Sequence, residues 1–311
     1  MKMPEDFKPL FDDIGMDLAW PLHHPEQLPD GGKLFRDVTY AAPWGYRPLM
    51  LDLRLPKGEG SFPTIVFIHG GAWAAGHPTI TNPVYRKMDF FNRFAAAGFA
   101  VARVGYRLSA EAKFPIQLHD CKSAIRFLRQ HSKLLHIDAE RFAAMGDSAG
   151  GHLATLVGLT GENKDLEGRV GIEEGSSAVS SVINWFGPTR LLTMDEEKRA
   201  LESWGSPDQP DSPESLLIGG PLQENKELAT AASPITYVHR GAPPMLLQYG
   251  DADRLVPFAQ GQALYDALKA VGCNVTLQRI KGADHCFWGV DASPIVDDDI
   301  AFLKKTLAKP V

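Results

Sequence analysis

From about residue 34 the chain alternates short apolar runs with helical patterns, and the runs are of two kinds. LFRDVTYA (34–41) and LMLDLRLP (49–56) alternate at period two, as half-buried antiparallel strands do. Six later runs are continuously apolar and end in or beside glycine or aspartate: TIVFIHG (64–70), FAVARVGY (99–106), RFAAMGD (141–147), SSVINWFG (180–187), PMLLQYGD (244–251) and NVTLQRI (274–280). Runs of this kind suit strands covered on both faces of a parallel sheet. Between them a 3.6-residue period predicts helices over 85–98, 116–135, 149–159, 258–272 and 294–308. Two of these close on Gly98 and Gly272, glycine being the residue that most easily adopts the left-handed helix-ending conformation. The order strand, helix, strand repeats, without internal repeats or low-complexity tracts. The expectation is one α/β domain over 1–311, a mostly parallel sheet of about eight strands flanked by helices. Residues 1–30 and 190–232 fall outside the alternation and carry proline, charge and scattered large apolar residues: Phe7, Phe11, Trp20, Trp204, Leu216 and Leu217. Ligands of α/β folds bind beyond the carboxyl ends of the strands, so both stretches are cap or lid candidates, with plain surface packing as the alternative.

Composition narrows the class. The 311 residues are 44% hydrophobic and 23% charged, enough to bury a sizeable core. A net charge of -6 with no Lys/Arg cluster argues against a nucleic-acid partner. No segment approaches 18 consecutive apolar residues, so no membrane span is expected, and the first 20 residues lack the uninterrupted apolar core of a secretory signal. Cys121, Cys273 and Cys286 have no CxxC spacing and leave an odd thiol, which points to a reducing, cytoplasmic compartment. No metal site is expected either: His131 and His136 are five apart rather than four, and Cys121 sits beside His119 and Asp120 in an amphipathic helix pattern.

One glycine-rich stretch carries chemistry. Gly146-Asp147-Ser148-Ala149-Gly150 stands where the strand run 141–147 passes directly into the helix 149–159, the context of a nucleophile elbow. Glycines at 146 and 150 let strand and helix approach closely around an exposed Ser148 hydroxyl. The same pattern fits a glycine-rich helix start with Ser148 as a capping residue. In a chain with 29 glycines the motif arises by chance on the order of 0.1 times, so other residues must decide. A serine needs a general base, itself oriented by a carboxylate. GDADRLVP (250–257) and KGADH (281–285) both follow predicted strands, and they offer Asp253 and His285 in the order Ser, Asp, His; Asp251 and Asp284 are the fallback orienters. His69-Gly70-Gly71-Ala72-Trp73 follows the strand run 64–68, and the N–H groups of Gly71, Ala72 and Ala149 are candidates for an oxyanion hole. Trp73, Tyr106, Trp185, Phe186, Phe287 and Trp288 are candidate pocket residues, with core packing as the alternative.

HGGAW (69–73), GDSAGGH (146–152), GDADRLVP (250–257) and ADH (283–285) together resemble the α/β-hydrolase superfamily, and most the hormone-sensitive-lipase and feruloyl/acetyl-xylan-esterase-like (BD-FAE-like) branch, over about residues 34–308. The resemblance implies the α/β-hydrolase fold, Ser148, Asp253 and His285 as a triad, and cofactor-free hydrolysis of a small-molecule ester through an acyl-enzyme. Where the lipase branch usually has His-Gly-Gly-Gly, this chain has Ala72 and then Trp73, a variant shared with kynurenine-formamidase-like and sugar-ester-esterase-like members. The expected activity is that of a serine carboxylesterase for short-chain acyl or aryl esters. Formamidase-like amide hydrolysis and a non-catalytic ligand-binding homologue are the alternatives. An edge strand or the helix over 294–308 leaves a homo-oligomer open.

Overall fold

A computed structural model of the chain describes residues 20–79, 82–201 and 205–309. Within them are nine strands: β1 (Glu26–Gln27), β2 (Lys33–Ala41), β3 (Leu49–Leu55), β4 (Phe62–Ile68), β5 (Ala100–Val104), β6 (Ile137–Asp147), β7 (Ser181–Trp185), β8 (Met245–Gly250) and β9 (Val275–Ile280). They form one sheet in the order β1-β2-β3-β5-β4-β6-β7-β8-β9. From β5 to β9 in that order neighbours pair in parallel, whereas β1, β2 and β3 join antiparallel. Eight strands lie on the eight predicted runs. The ninth, β1, is a two-residue edge too short to leave a periodic signal.

The parallel strands are apolar for the expected reason, being covered on both faces. Phe142, Ala143, Ala144 and Met145 of β6 are fully buried. The antiparallel pair departs from clean alternation. β3 is buried on both sides, and Asp52 is tolerated there because it accepts from Arg103 Nη2 at 2.7 Å and from the Asp37 N–H at 2.9 Å. The helix expected over 85–98 is two, Pro83–Met88 and Phe90–Ala96, broken at Asp89, which takes a left-handed φ of 49°. The helix expected over 116–135 stops at Gln130. Gly98 and Gly272 have φ of 94° and 80°, as helix-ending glycines do.

The connection after β4 runs to β5 on one side of it, and the connection after β5 crosses back over β4 to β6 on the other, so the winding of the sheet reverses at β4 while its strands stay parallel. A crevice opens at the carboxyl ends of strands at such a point. The 190–232 stretch folds over it as short helices, Met194–Ala200, Pro213–Ile218 and Lys226–Ala231. Gln260 anchors its start, accepting from the Thr189 and Arg190 N–H groups at 2.8 and 2.7 Å and donating to Glu197 at 2.7 Å. On the far side the Phe114 N–H donates to the Leu217 carbonyl at 2.9 Å. Leu217 is buried and Leu216 exposed. Phe7, Phe11 and Trp204 lie outside the described residues, and of 1–30 the description covers the turn of helix Trp20–His23 and β1.

Candidate active site

β6 ends at Asp147 and the helix Ala149–Leu159 begins two residues later, so Ser148 alone makes the turn. Its φ of 52° and ψ of -120° are strained for an L residue, a cost of about 1–3 kcal/mol that the surroundings must hold. The surroundings are tight: a Cβ on Gly150 would land on the Ile68 carbonyl, and one on Gly146 would strike the Gly150 backbone. The Ser148 N–H donates to the Trp185 carbonyl at 2.8 Å. The Ser148 hydroxyl caps no helix N–H. It lies 3.0 Å from His285 Nε2 instead.

His285 follows β9, and its Nδ1 is 2.8 Å from Asp253 Oδ2. Asp253, beyond β8 and 2% exposed, also accepts from the Leu255 and Val256 N–H groups through Oδ1, at 2.8 and 2.9 Å. A buried carboxylate that accepts only hydrogen bonds fixes the proton of the neutral ring on Nδ1 and leaves the Nε2 lone pair facing the serine. Phe186 packs edge-on against the imidazole, ring centroids 4.8 Å apart. The fallback carboxylates have other tasks: Asp251 accepts from the Gly282 N–H at 2.6 Å, and Asp284 from the His285 N–H at 2.7 Å.

The loop after β4 is built for exposed N–H groups. Gly71, Ala72 and Trp73 all have positive φ (114°, 57°, 54°), and a Cβ on Gly71 would collide with the Ala75 carbonyl. The Gly70 N–H is taken by Asp147 Oδ1 at 2.9 Å. Among the described residues the N–H groups of Gly71, Ala72 and Ala149 donate to nothing. Helix-start N–H groups are free by geometry, and the dipole of the helix adds positive potential beside Ser148. His69 locks the loop from within: its Nδ1–H donates to the Gly70 carbonyl at 2.7 Å and its ring stacks on Tyr106, centroids 4.4 Å apart. Burial pushes the His69 pKa down to about 4, so the ring is neutral.

Asp147, inside the elbow, has a part that sequence reasoning missed. Its second oxygen accepts from Tyr85 OH at 3.0 Å, so one buried carboxylate, its pKa pushed up by burial, ties elbow, loop and the helix Pro83–Met88 together. The partners lie 77 and 62 residues away in sequence. Only a hydrophilic residue inside an otherwise apolar strand end hinted at it.

Ser148 and His285 open on a cleft of about 670 Å³. Of the six aromatic pocket candidates, Trp73 alone lines it. Tyr106, Trp185, Phe186 and Phe287 are at most 1% exposed and lie under the site as core, while Trp288 is 54% exposed and does not reach the cleft. Aromatic residues at these strand ends turn inward: Phe287 packs edge-on against both Trp185 and Phe186. The wall comes instead from the 190–232 stretch, with Lys198, Ser206, Pro207, Ser212 and Glu214, and from Tyr85, Leu255 and Cys286. Lys198 is 8% exposed and its charge acts on the Glu214 carboxyl. Burial pushes the Glu214 carboxyl up, against the pull of the Lys198 charge. Burial also raises the thiol of Cys286, next to His285, to about 12, so it stays protonated. Among the described residues no three His, Cys, Asp or Glu side chains group as metal ligands, and no helix is long and apolar enough to cross a membrane.

Comparison with known proteins bears on this geometry. Esterase LipC of Mycobacterium tuberculosis is 30% identical over 227 residues, 72% of this chain and 53% of that protein, so the chain spans about half the length of the curated relatives it matches. A truncated carbohydrate esterase from gut microbiota superimposes with a TM-score of 0.80 at 28% identity, covering 91% of this chain and 99% of that one. A thermophilic esterase of Thermogutta terrifontis, solved with propionate bound, gives 0.67 at 27% identity, covering 92% and 98%. These neighbours share the α/β-hydrolase architecture. The BD-FAE family matches residues 51–268, a span that holds the HGGAW loop, Ser148 and Asp253 and stops short of His285. On that match, and on the mostly parallel sheet beneath the site, the chain belongs to the BD-FAE family.

Proposed function

We propose that the chain is a serine carboxylesterase that hydrolyses small esters through an acyl-enzyme. The observation that carries the reading is the continuous hydrogen-bonded line Asp253, His285, Ser148, with the serine hydroxyl turned from the helix it could cap toward the imidazole. Ser148 Oγ attacks the ester carbonyl as His285 Nε2 takes its proton. Asp253 stabilises the imidazolium, which then protonates the departing alcohol, and water repeats the sequence on the acyl-serine. The unpartnered N–H groups of Gly71, Ala72 and Ala149 receive the negative charge of each tetrahedral intermediate. Each donor of this kind is worth about 10²–10³ in rate. The relatives named as esterases support this chemistry.

The cleft also bears on the alcohol side. In the cleft wall the Lys198 ammonium and the nearby Glu214 carboxyl offer a donor and an acceptor, which match an alcohol portion carrying further hydroxyl groups better than a purely apolar one. The likeness to a carbohydrate esterase agrees with that preference. We read the 190–232 stretch as a fixed wall rather than a swinging lid, because Gln260 anchors its start, Phe114 holds Leu217 midway and His152 Nε2 lies 2.6 Å from the Ala232 carbonyl at its end. The three unpaired cysteines, two of them buried, support a reducing compartment such as the cytoplasm.

The test is hydrolysis of p-nitrophenyl acetate, butyrate, octanoate and palmitate beside N-formylkynurenine, by the wild type and by Ser148→Ala. Fast turnover of the short esters that disappears in the variant is the expected result. Turnover of the formyl amide above the esters would replace the reading with amide hydrolysis, and wild-type rates in the variant would remove Ser148 from the mechanism.

A further inference from the structure

We infer that His152 is a positioning residue: with its proton on Nε2, it holds the loop His69–Gly76 in its donor-presenting shape by anchoring Trp73. The inference rests on the esterase reading above, because the loop matters through the N–H groups it presents. His152 is four residues past Ser148 in the helix Ala149–Leu159 and is wholly buried. Its two ring nitrogens are both engaged. Trp73 Nε1 lies 3.2 Å from His152 Nδ1, and an indole N–H can only donate, so Nδ1 accepts. The Ala232 carbonyl lies 2.6 Å from Nε2 and can only accept, so Nε2 carries the hydrogen. The partners therefore select one neutral tautomer, and burial, which depresses the pKa to about 4, keeps it neutral.

The loop needs such a hold. Ala72 and Trp73 follow each other in the left-handed region, φ 57° and 54°, where neither side chain is at ease. Two bonds restrain Trp73: the indole to His152, and its carbonyl accepting the Ser109 N–H at 2.8 Å. Trp73 is 1% exposed and its ring stands edge-on to His152, centroids 5.0 Å apart. On the other side Ala232 closes the helix Lys226–Ala231 of the cleft wall. One imidazole thus joins the helix behind the nucleophile, the oxyanion loop and the 190–232 stretch. A residue there must fill the space of a ring, accept on one side and donate on the other, which phenylalanine cannot do; asparagine keeps an acceptor for the indole without the reach to Ala232.

The experiment measures kcat and KM for p-nitrophenyl acetate, and the affinity for a trifluoromethyl ketone, in the wild type, His152→Phe, His152→Asn, Trp73→Phe and the double variant His152→Phe/Trp73→Phe. The ketone adds the serine hydroxyl across its carbonyl, the proton passing to the imidazole, and presents an oxyanion to the same N–H groups. The expected result is a kcat lower by about tenfold in His152→Phe and in Trp73→Phe, short of the loss from removing a donor outright. KM stays within about twofold and ketone affinity falls in step with kcat. The double variant is no worse than either single one, and His152→Asn keeps most of the rate. Additive losses, equal damage from asparagine and phenylalanine, or unchanged ketone affinity overturn the inference. If His152→Phe does not fold, Trp73→Phe and His152→Asn decide it: an undiminished kcat in Trp73→Phe, or a loss in His152→Asn as large as in Trp73→Phe, overturns it. A wild type that turns over no ester overturns the esterase reading and this inference with it, whereas an active wild type with unaffected variants overturns this inference alone.

Discussion

Asp253 accepts three N–H groups, from His285, Leu255 and Val256, and donates to none. Replacing it with asparagine preserves shape but sets an amide NH₂ against N–H donors, which favours the wrong imidazole tautomer. Asp253→Asn is expected to lower kcat by about 10³–10⁴ while the fold, followed by circular dichroism and thermal melting, stays intact. Gly150→Ala should fail differently, since its Cβ would overlap the Ile68 carbonyl. A loss of soluble protein or of several degrees in Tm is expected there, and a normal melt would show that strand and helix are less tightly apposed than described. Three histidines, His69, His119 and His152, have pKa values driven down to about 4 by burial. Their ring NMR shifts are expected to stay flat from about pH 8 to 5.5, well above that value. At this scale the meeting of Ser148, His285 and Asp253 was legible, because elbow, acid loop and histidine loop each follow a strand end. Asp147 was not, because its partners meet it only through contacts 62 and 77 residues away.

At the scale of elements, the strands were legible because two-sided burial leaves continuous apolar runs. Helix limits were less so. Asp89 breaks the first predicted helix by adopting a conformation that no hydrophobic period announces. The pocket misreading has the same root: an aromatic residue at a strand end looks alike in sequence whether it turns toward the cleft or, like Trp185 and Phe287, into the core. The C-terminal helix Ser293–Thr306 packs a carboxyl inward. Asp299 is fully buried and among the described residues neither oxygen has a hydrogen-bond partner, since the Trp185 and Gln248 side chains beside it bond to each other at 2.7 Å. Burial raises its pKa well above that of the unfolded chain. Its favourable contribution is therefore complete below the unfolded pKa of 3.8 and is lost as pH rises toward the folded value. Asp299→Asn removes that dependence. Its Tm is expected to exceed the wild type's by roughly 2–4 °C near pH 7, with the gap closing near about pH 3.5. A gap that is constant or widens on acidification would contradict a buried, protonated Asp299. In the cleft wall, Lys198→Met is expected to raise KM about tenfold for the monoacetate of a polyhydric alcohol, the worth of a charge-assisted hydrogen bond, and less for p-nitrophenyl acetate. Equal changes for both esters would place Lys198 outside recognition of the alcohol.

The whole molecule brings its chemistry to one edge of one sheet. The strands that carry the HGGAW loop and Ser148 are neighbours, β4 and β6, while Asp253 and His285 arrive from β8 and β9 two and three places further on. Parallel strands send all four loops out at the same end, which is why residues spread from 69 to 285 can meet. The sequence carried that much in the order of its motifs. It did not carry the cleft wall, because short helices such as Pro213–Ile218 have no long amphipathic pattern and lie where they do by their anchors to Gln260 and Phe114. An acyl group that passes through Ser148 must be found on it within one turnover. The most direct measurement is to mix the protein with p-nitrophenyl acetate, quench within the first turnover and map the acetylated peptide by mass spectrometry. The expected result is a burst of nitrophenol and an acetyl group on Ser148, both absent in Ser148→Ala. Acetylation elsewhere, or a burst that persists in the variant, would contradict it.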